Sequence, residues 1–146
     1  MNTGLLFPGQ GSQRPQMLHN LVRHPAVDET LAEISEVLGT DVRMLDSTDA
    51  LRSPVSVQVA IFAAGVSIAR PLQRSGVQPL AVVVLSIGAF SAAVVAEAIE
   101  LSDAVRLVLA GQEVINFLER CEAGGITLMN CATYVREWIT RQRRGR

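Results

Sequence analysis

Lysine is missing altogether: all thirteen basic residues of this 146-residue chain are Arg. That excludes a lysine nucleophile and a lysine Schiff base. Cysteine is scarce, with only Cys121 and Cys131. Two thiols suit a reduced, cytoplasmic protein better than a disulfide framework. Histidine is equally scarce, with His19 and His24. Two cysteines and two distant imidazoles are too few ligands for a metal site, so neither a metal nor a cofactor is expected. Net charge is almost absent as well, at −1. A balance so close to zero offers no general attraction for nucleic acid. The apolar stretches around 59–69 and 79–96 are interrupted by Ser and Gly, so no membrane span is expected. The opening Met1-Asn2-Thr3-Gly4 carries no basic segment of the kind that starts a secretory signal.

What is present is a composition that folds. Nearly half the chain, 49%, is hydrophobic, and its length suits one domain. Charge is unevenly spread. Residues 1–135 hold eight Arg against thirteen acids, a balance of −5; residues 136–146 hold five Arg against Glu137, a balance of +4. Such a basic tail suits either an anion contact or, more simply, a solvated terminus.

Local patterns predict alternating strands and helices. Thr3–Phe7 is a short apolar run that ends in Pro8-Gly9, as a strand feeding a loop does. Pro25–Leu38 has Pro at its start, acids in its first turn and Gly39 after its end, the signature of a helix. Ser53-Pro54 forms an N-cap and first-turn pair for a second helix, expected to reach about Ala69 and to bend or end at Pro71, with Gly76 closing the turn. Leu80–Leu85 is unbroken and β-branched, which predicts a strand buried on both faces in a parallel sheet. Gly88 to about Ala96 reads as a buried helix, and Ser102-Asp103 as the cap of another that runs to about Leu118. Beyond Glu119 the periodicity weakens. Ile126–Met129 could form a short strand and Tyr134–Arg144 a polar helix. The order β, α, α, β, α, α implies a layered α/β fold. The first strand and Leu80–Leu85 are expected to lie side by side, with helices over both faces.

Two segments carry chemistry. Ser86 stands between the apolar strand and the helix that opens at Gly88. A serine at such a strand-to-helix turn is lifted clear of the sheet, and the helix start aims N–H groups at an oxyanion formed there. The local pattern Val84-Leu85-Ser86-Ile87-Gly88 lacks the first glycine of the G-x-S-x-G elbow. By itself Ser-x-Gly after an apolar run also fits an ordinary turn serine. The other segment is Phe7-Pro8-Gly9-Gln10-Gly11-Ser12-Gln13, where Gln10 presents an amide donor between two glycines. No Gly-Lys-Ser/Thr follows, so it is no phosphate-binding P-loop, and no third glycine completes a dinucleotide fingerprint.

Taken together, FPGQGSQ and the later LSIGAFSAAVVAEAIELSDAVRLV resemble the malonyl-CoA:acyl-carrier-protein transacylase family. The intervening LRSPVSVQVAIFAAGVSIAR is similar to the helix that precedes the nucleophile strand in that family. Within it, GQGSQRPQMLHNL, DALRSPVSVQ and SIGAF make the chain most similar to the epsilon subunit of malonate decarboxylase. The resemblance spans roughly residues 3–115 and the first half of the catalytic domain. It implies a partial α/β-hydrolase-like acyltransferase domain over residues 1–118, without the ferredoxin-like subdomain, followed by a divergent Arg-rich tail over 119–146.

The resemblance also implies roles. Ser86 becomes a nucleophile that carries a malonyl-serine intermediate, while Gln10 and the backbone N–H of Ile87 hold the oxyanion. Malonyl-CoA would be the donor and an acyl carrier protein the acceptor, with other malonate decarboxylase subunits as further partners. Departures accompany these roles. His19 and His24 do not match the family's catalytic His, and Gly111 stands where the family has the Arg that binds the malonyl carboxylate. Val84 replaces the elbow glycine, Glu97 replaces a glycine after the helix, and 119–146 matches nothing clearly. A truncated, impaired transferase is therefore the expectation, with a non-catalytic structural or interaction subunit as the alternative.

Overall fold

The structure is a computed structural model that describes residues 3–110. The Gly111 position, the tail over 119–146, the strand at Ile126–Met129 and the helix at Tyr134–Arg144 lie outside the described residues.

Two strands, β1 (Thr3–Phe7) and β2 (Pro79–Val84), pair in parallel, with Leu5 opposite Val82 and Phe7 opposite Val84. Four helices accompany them: α1 (Pro25–Leu38), α2 (Pro54–Arg74), α3 (Gly88–Val95) and α4 (Leu101–Ala110). The first two start for a local reason. His24 caps α1 by accepting from the Ala26 N–H, with Pro25 in the first turn, and Gly39 ends it in the left-handed region at φ 72°. The Ser53 hydroxyl caps α2 by accepting from the Ser56 N–H.

The centre of the fold is α2. Eleven of its 21 residues are buried, among them Val59, Phe62 and Val66. By length and hydropathy α2 could cross a membrane, but 61% of its apolar window is buried among the elements around it. Leu31 and Ile34 of α1, Phe90 and Val94 of α3, and Val105 and Val108 of α4 complete one core with it. A smaller cluster of Phe7, Ala69 and Val95 ties β1 to α2 and α3.

Several expectations need correction. Pro71 does not end α2, which runs on to Arg74. Proline removes one N–H, but with only the final turn remaining, the helix bridges the gap; the Ser75 N–H still reaches the Pro71 and Leu72 carbonyls. Two short 3₁₀ helices, Val42–Asp46 and Ala50–Arg52, occupy the α1–α2 connection, where no regular element was expected. The helix α4 begins at Leu101 rather than at a Ser102 cap.

The larger correction concerns the sheet. Among the described residues, helices do not cover both of its faces. Leu80 is 75% exposed, Val83 59% and, on β1, Leu6 72%, whereas Phe7 is only 3% exposed. One face of β1 meets the helices, and β2 is largely open. An unbroken apolar run reports what a strand can bury. It does not report which element covers it.

Candidate active site

The site stands where the two strands end. The parallel pairing carries on one bond beyond β2, from the Leu85 N–H to the Phe7 carbonyl at 3.0 Å. Both strands therefore deliver their following loops, Pro8-Gly9-Gln10 and Leu85-Ser86-Ile87, to the same edge of the sheet.

Two glycines let those loops touch. A Cβ built on Gly9 would sit 2.9 Å from the Leu85 oxygen and 3.2 Å from the Ser86 Cβ. A Cβ on Gly88 would sit 2.3 Å from the Phe7 oxygen. Neither position has room for a side chain. Gln10, next to Gly9, is exposed, and so is Ser86. The expectation that Gln10 and Ser86 share one sheet edge holds.

Ser86 itself is strained. Its φ is +50°, in the left-handed region that non-glycine residues rarely enter. The chain reverses there from strand to helix within two residues. The bonds Gly88 N–H to Leu85 O, Ala89 N–H to Ser86 O and Phe90 N–H to Ile87 O, at 3.0 to 3.1 Å, close the turn. They begin at Gly88, so the N–H groups of Ser86 and Ile87 precede the hydrogen-bonded ladder at the start of α3. Unladdered N–H groups at a helix start suit developing negative charge.

Val84, in place of the usual elbow glycine, causes no break. It lies in the strand opposite Phe7 and is half-buried. The strain of the turn falls on Ser86 alone, and close approach is provided by Gly9 from the other strand.

The imidazoles are engaged elsewhere. His24 caps α1 through its Nδ1. The His19 Nδ1 lies 3.0 Å from Asp46 Oδ1 and 3.1 Å from Oδ2. Asp46 is 1% exposed and also accepts from the Leu18 N–H at 2.8 Å. Sequence reasoning passed over Asp46. Nothing in the spacing of two residues 27 apart marks them as partners. Among the described residues, no group of three or more His, Cys, Asp or Glu side chains could hold a metal ion.

Comparisons with known proteins show the family and the fold. The family profile described as "Acyl transferase domain" matches residues 5–141. The malonyl CoA-acyl carrier protein transacylase of Escherichia coli is 39% identical over 108 residues, 70% of this chain and 35% of that protein. The crystal structure of the corresponding enzyme from Streptococcus pneumoniae superposes with a TM-score of 0.68 at 42% identity, over 74% of this chain and 36% of that one. A malonyl-transacylase in complex with a type II polyketide synthase acyl-carrier protein superposes with a TM-score of 0.69 at 37% identity, over 75% and 37%. The chain thus spans about a third of the length of the curated transacylases it matches.

Proposed function

From the premise that this chain belongs to the acyl transferase domain family, we propose that it provides the nucleophile and oxyanion half of a malonyl-CoA:acyl-carrier-protein transacylase. The observation that carries this is Ser86: an exposed serine held at φ +50° between β2 and α3, against the glycine that precedes Gln10.

The chemistry follows from that arrangement. The Ser86 Oγ attacks the thioester carbonyl of malonyl-CoA and loses its proton to a base. The tetrahedral oxyanion is received by the Gln10 amide and the Ile87 N–H. The C–S bond then breaks, CoA leaves as a thiol after taking up a proton, and malonyl remains as an ester on Ser86. The thiol of an acyl carrier protein attacks that ester in turn, and Ser86 regains its proton. Splitting transfer into two such steps is nucleophilic catalysis with a ping-pong order.

The base is not found among the described residues, because His19 and His24 are occupied by Asp46 and by the α1 cap. General-base help is worth about 10²–10⁴-fold. Turnover by the described part alone is therefore slow, and the base comes from elsewhere in the complete acyltransferase site. The finer reading, that the carrier is that of malonate decarboxylase, rests on the GQGSQRPQMLHNL, DALRSPVSVQ and SIGAF segments, and the cytoplasmic setting rests on the two cysteines, Cys121 and Cys131.

The test is intact-mass analysis after mixing the chain with malonyl-CoA. A single malonyl adduct is expected, lost in Ser86→Ala. An adduct that persists in Ser86→Ala overturns the assignment. Offering the labelled chain two carriers, one with ordinary phosphopantetheine and one with the CoA-like group of malonate decarboxylase, decides the carrier.

A further inference from the structure

The loop that carries Gln10 is tied to the fold by the packing of Leu18 into the core and by hydrogen bonds to one residue. Between Gly9 and Asn20 the chain is wound through local bonds: the Ser12 N–H and hydroxyl both donate to the Gly9 carbonyl, the Gly11 N–H to the Gln13 Oε1, the Met17 N–H to the Arg14 carbonyl and the Asn20 N–H to the Gln16 carbonyl. These bonds shape the segment without fixing it to the fold. Among the described residues, every hydrogen bond that leaves the segment ends on Asp46. The Gln16 N–H donates to its carbonyl at 2.9 Å, the Leu18 N–H to Oδ2 at 2.8 Å, and the His19 Nδ1 meets both carboxylate oxygens.

Asp46 is well placed to be an anchor. It closes the 3₁₀ helix Val42–Asp46, whose Val42 is fully buried and which packs on α2. Its own side chain is 1% exposed, while His19 is 49% exposed. A carboxylate oxygen accepts, so the hydrogen of the His19 contact sits on Nδ1. The imidazole thus lies over the carboxylate as a cover that still meets water on its other side. Without the Leu18 N–H and the Nδ1–H, the carboxylate would be dry and unsatisfied, which proteins avoid. Gln16 adds a second sign of tethering: its φ is +61°, a strained value for a non-glycine residue, at the very N–H bound by the Asp46 carbonyl.

We propose that Asp46, covered by His19, is the positioning residue that fixes the Gly9–Asn20 segment and through it the Gln10 amide. The inference rests on the reading of Gln10 as an oxyanion donor. Asp46 touches no reacting atom. It acts by holding the backbone from which Gln10 projects, and His19 acts by closing the carboxylate against water.

The test uses the full chain with Asp46→Ala, the milder His19→Ala, Gln10→Ala and the Gln10→Ala/Asp46→Ala pair. Amide hydrogen exchange in Asp46→Ala should quicken about tenfold or more at Leu18, whose acceptor is the carboxylate, and less at Gln16, whose acceptor is the retained backbone carbonyl, with β1 and α2 amides unchanged, as for the loss of one hydrogen bond to a charged group. His19→Ala should give a smaller change in the same amides. Ser86 acylation should slow in Asp46→Ala, and the double variant should be no slower than Gln10→Ala alone. Asp46→Asn, which keeps an acceptor for Leu18, should recover part of the rate. Unchanged exchange at Gln16 and Leu18, or an Asp46→Ala loss that multiplies the Gln10→Ala loss, overturns the positioning role and leaves the oxyanion reading standing. A Gln10→Ala variant as fast as the parent sinks the oxyanion reading instead, and takes with it the catalytic purpose of the anchor while the exchange result still decides the anchor itself. Where acylation is too slow to follow, the exchange of Gln16 and Leu18 decides alone.

Discussion

Gly88 and Phe7 are in direct backbone contact: a Cβ on Gly88 would fall 2.3 Å from the Phe7 carbonyl oxygen. That oxygen already accepts from the Leu85 N–H at 3.0 Å, so it cannot move away freely. The end of β1 is thus clamped between the last bond of the sheet and the first residue of α3. Gly88→Ala should destabilise the chain by about 1–3 kcal/mol, the usual cost of overpacking. It should also slow Ser86 acylation, because the extra methyl pushes the Ser86 turn away from the Gly9-Gln10 loop. Chemical denaturation and acylation kinetics on the same sample check both halves. A variant as stable as the parent would mean the contact relaxes at no cost.

Ser86 predicts an opposition between stability and chemistry. A non-glycine residue in the left-handed region costs about 1–2 kcal/mol. Ser86→Gly should therefore raise stability by about 1 kcal/mol while it abolishes acylation. Ser86→Ala abolishes acylation without the gain, since alanine keeps the Cβ. Thermal melting of the three proteins side by side separates backbone relief from loss of the hydroxyl. Equal melting points for the glycine and alanine variants would show that φ +50° carries no strain here.

Gln10→Ala should slow Ser86 acylation by about 10²–10³ with little effect on unfolding, the usual consequence of removing one oxyanion donor. The amide is exposed and Gly9 and Gly11 flank it, so no packing is lost. A rate close to the parent's would return Gln10 to a structural role.

Glu97 shows how a departure in sequence becomes a measurable cost. It follows α3 at φ +56°, with its N–H on the Val94 carbonyl at 3.0 Å and the Ala98 N–H on the Ala93 carbonyl at 2.8 Å. That pair of bonds is the Schellman ending, whose left-handed position favours glycine. Glu97→Gly should stabilise by about 1 kcal/mol. Denaturant midpoints at equal slope measure it, and a lower midpoint for the glycine variant would contradict it.

The parts of this fold that sequence reveals are those decided within a few residues. Pro25 with Gly39, and Ser53 with Pro54, set helix ends by local chemistry, and α1 and the start of α2 fall where those residues put them. The shared edge for Gln10 and Ser86 was legible through the resemblance, since two groups that serve one oxyanion must stand at the same edge of the sheet. Pro71 was misleading because a proline's missing bond matters less in a final turn. The His19–Asp46 contact was invisible, since it depends on a loop folding back across 27 positions. The cover of β2 was misjudged for a related reason: Leu80–Leu85 is apolar whatever lies above it.

That uncovered strand leads to a statement about association. Leu6 and Val83 are register partners on neighbouring strands, 72% and 59% exposed, and Leu85 beside them is 64% exposed. They form a flat apolar surface on a sheet of two strands, and such surfaces and free strand edges recruit further chains. The 146-residue chain should therefore self-associate as its concentration rises. Replacing Leu6 and Val83 with Thr puts a β-branched side chain at each position, so strand propensity is retained while apolar area is removed. Sedimentation velocity across a concentration series should show larger species for the parent chain and a shift towards monomer for Leu6→Thr/Val83→Thr. The substituted positions face away from the Phe7, Ala69 and Val95 cluster, so cooperative unfolding should survive. A parent chain that stays monomeric throughout the series would show that this face is covered in solution. A double variant that associates as strongly as the parent would place the sticky surface elsewhere.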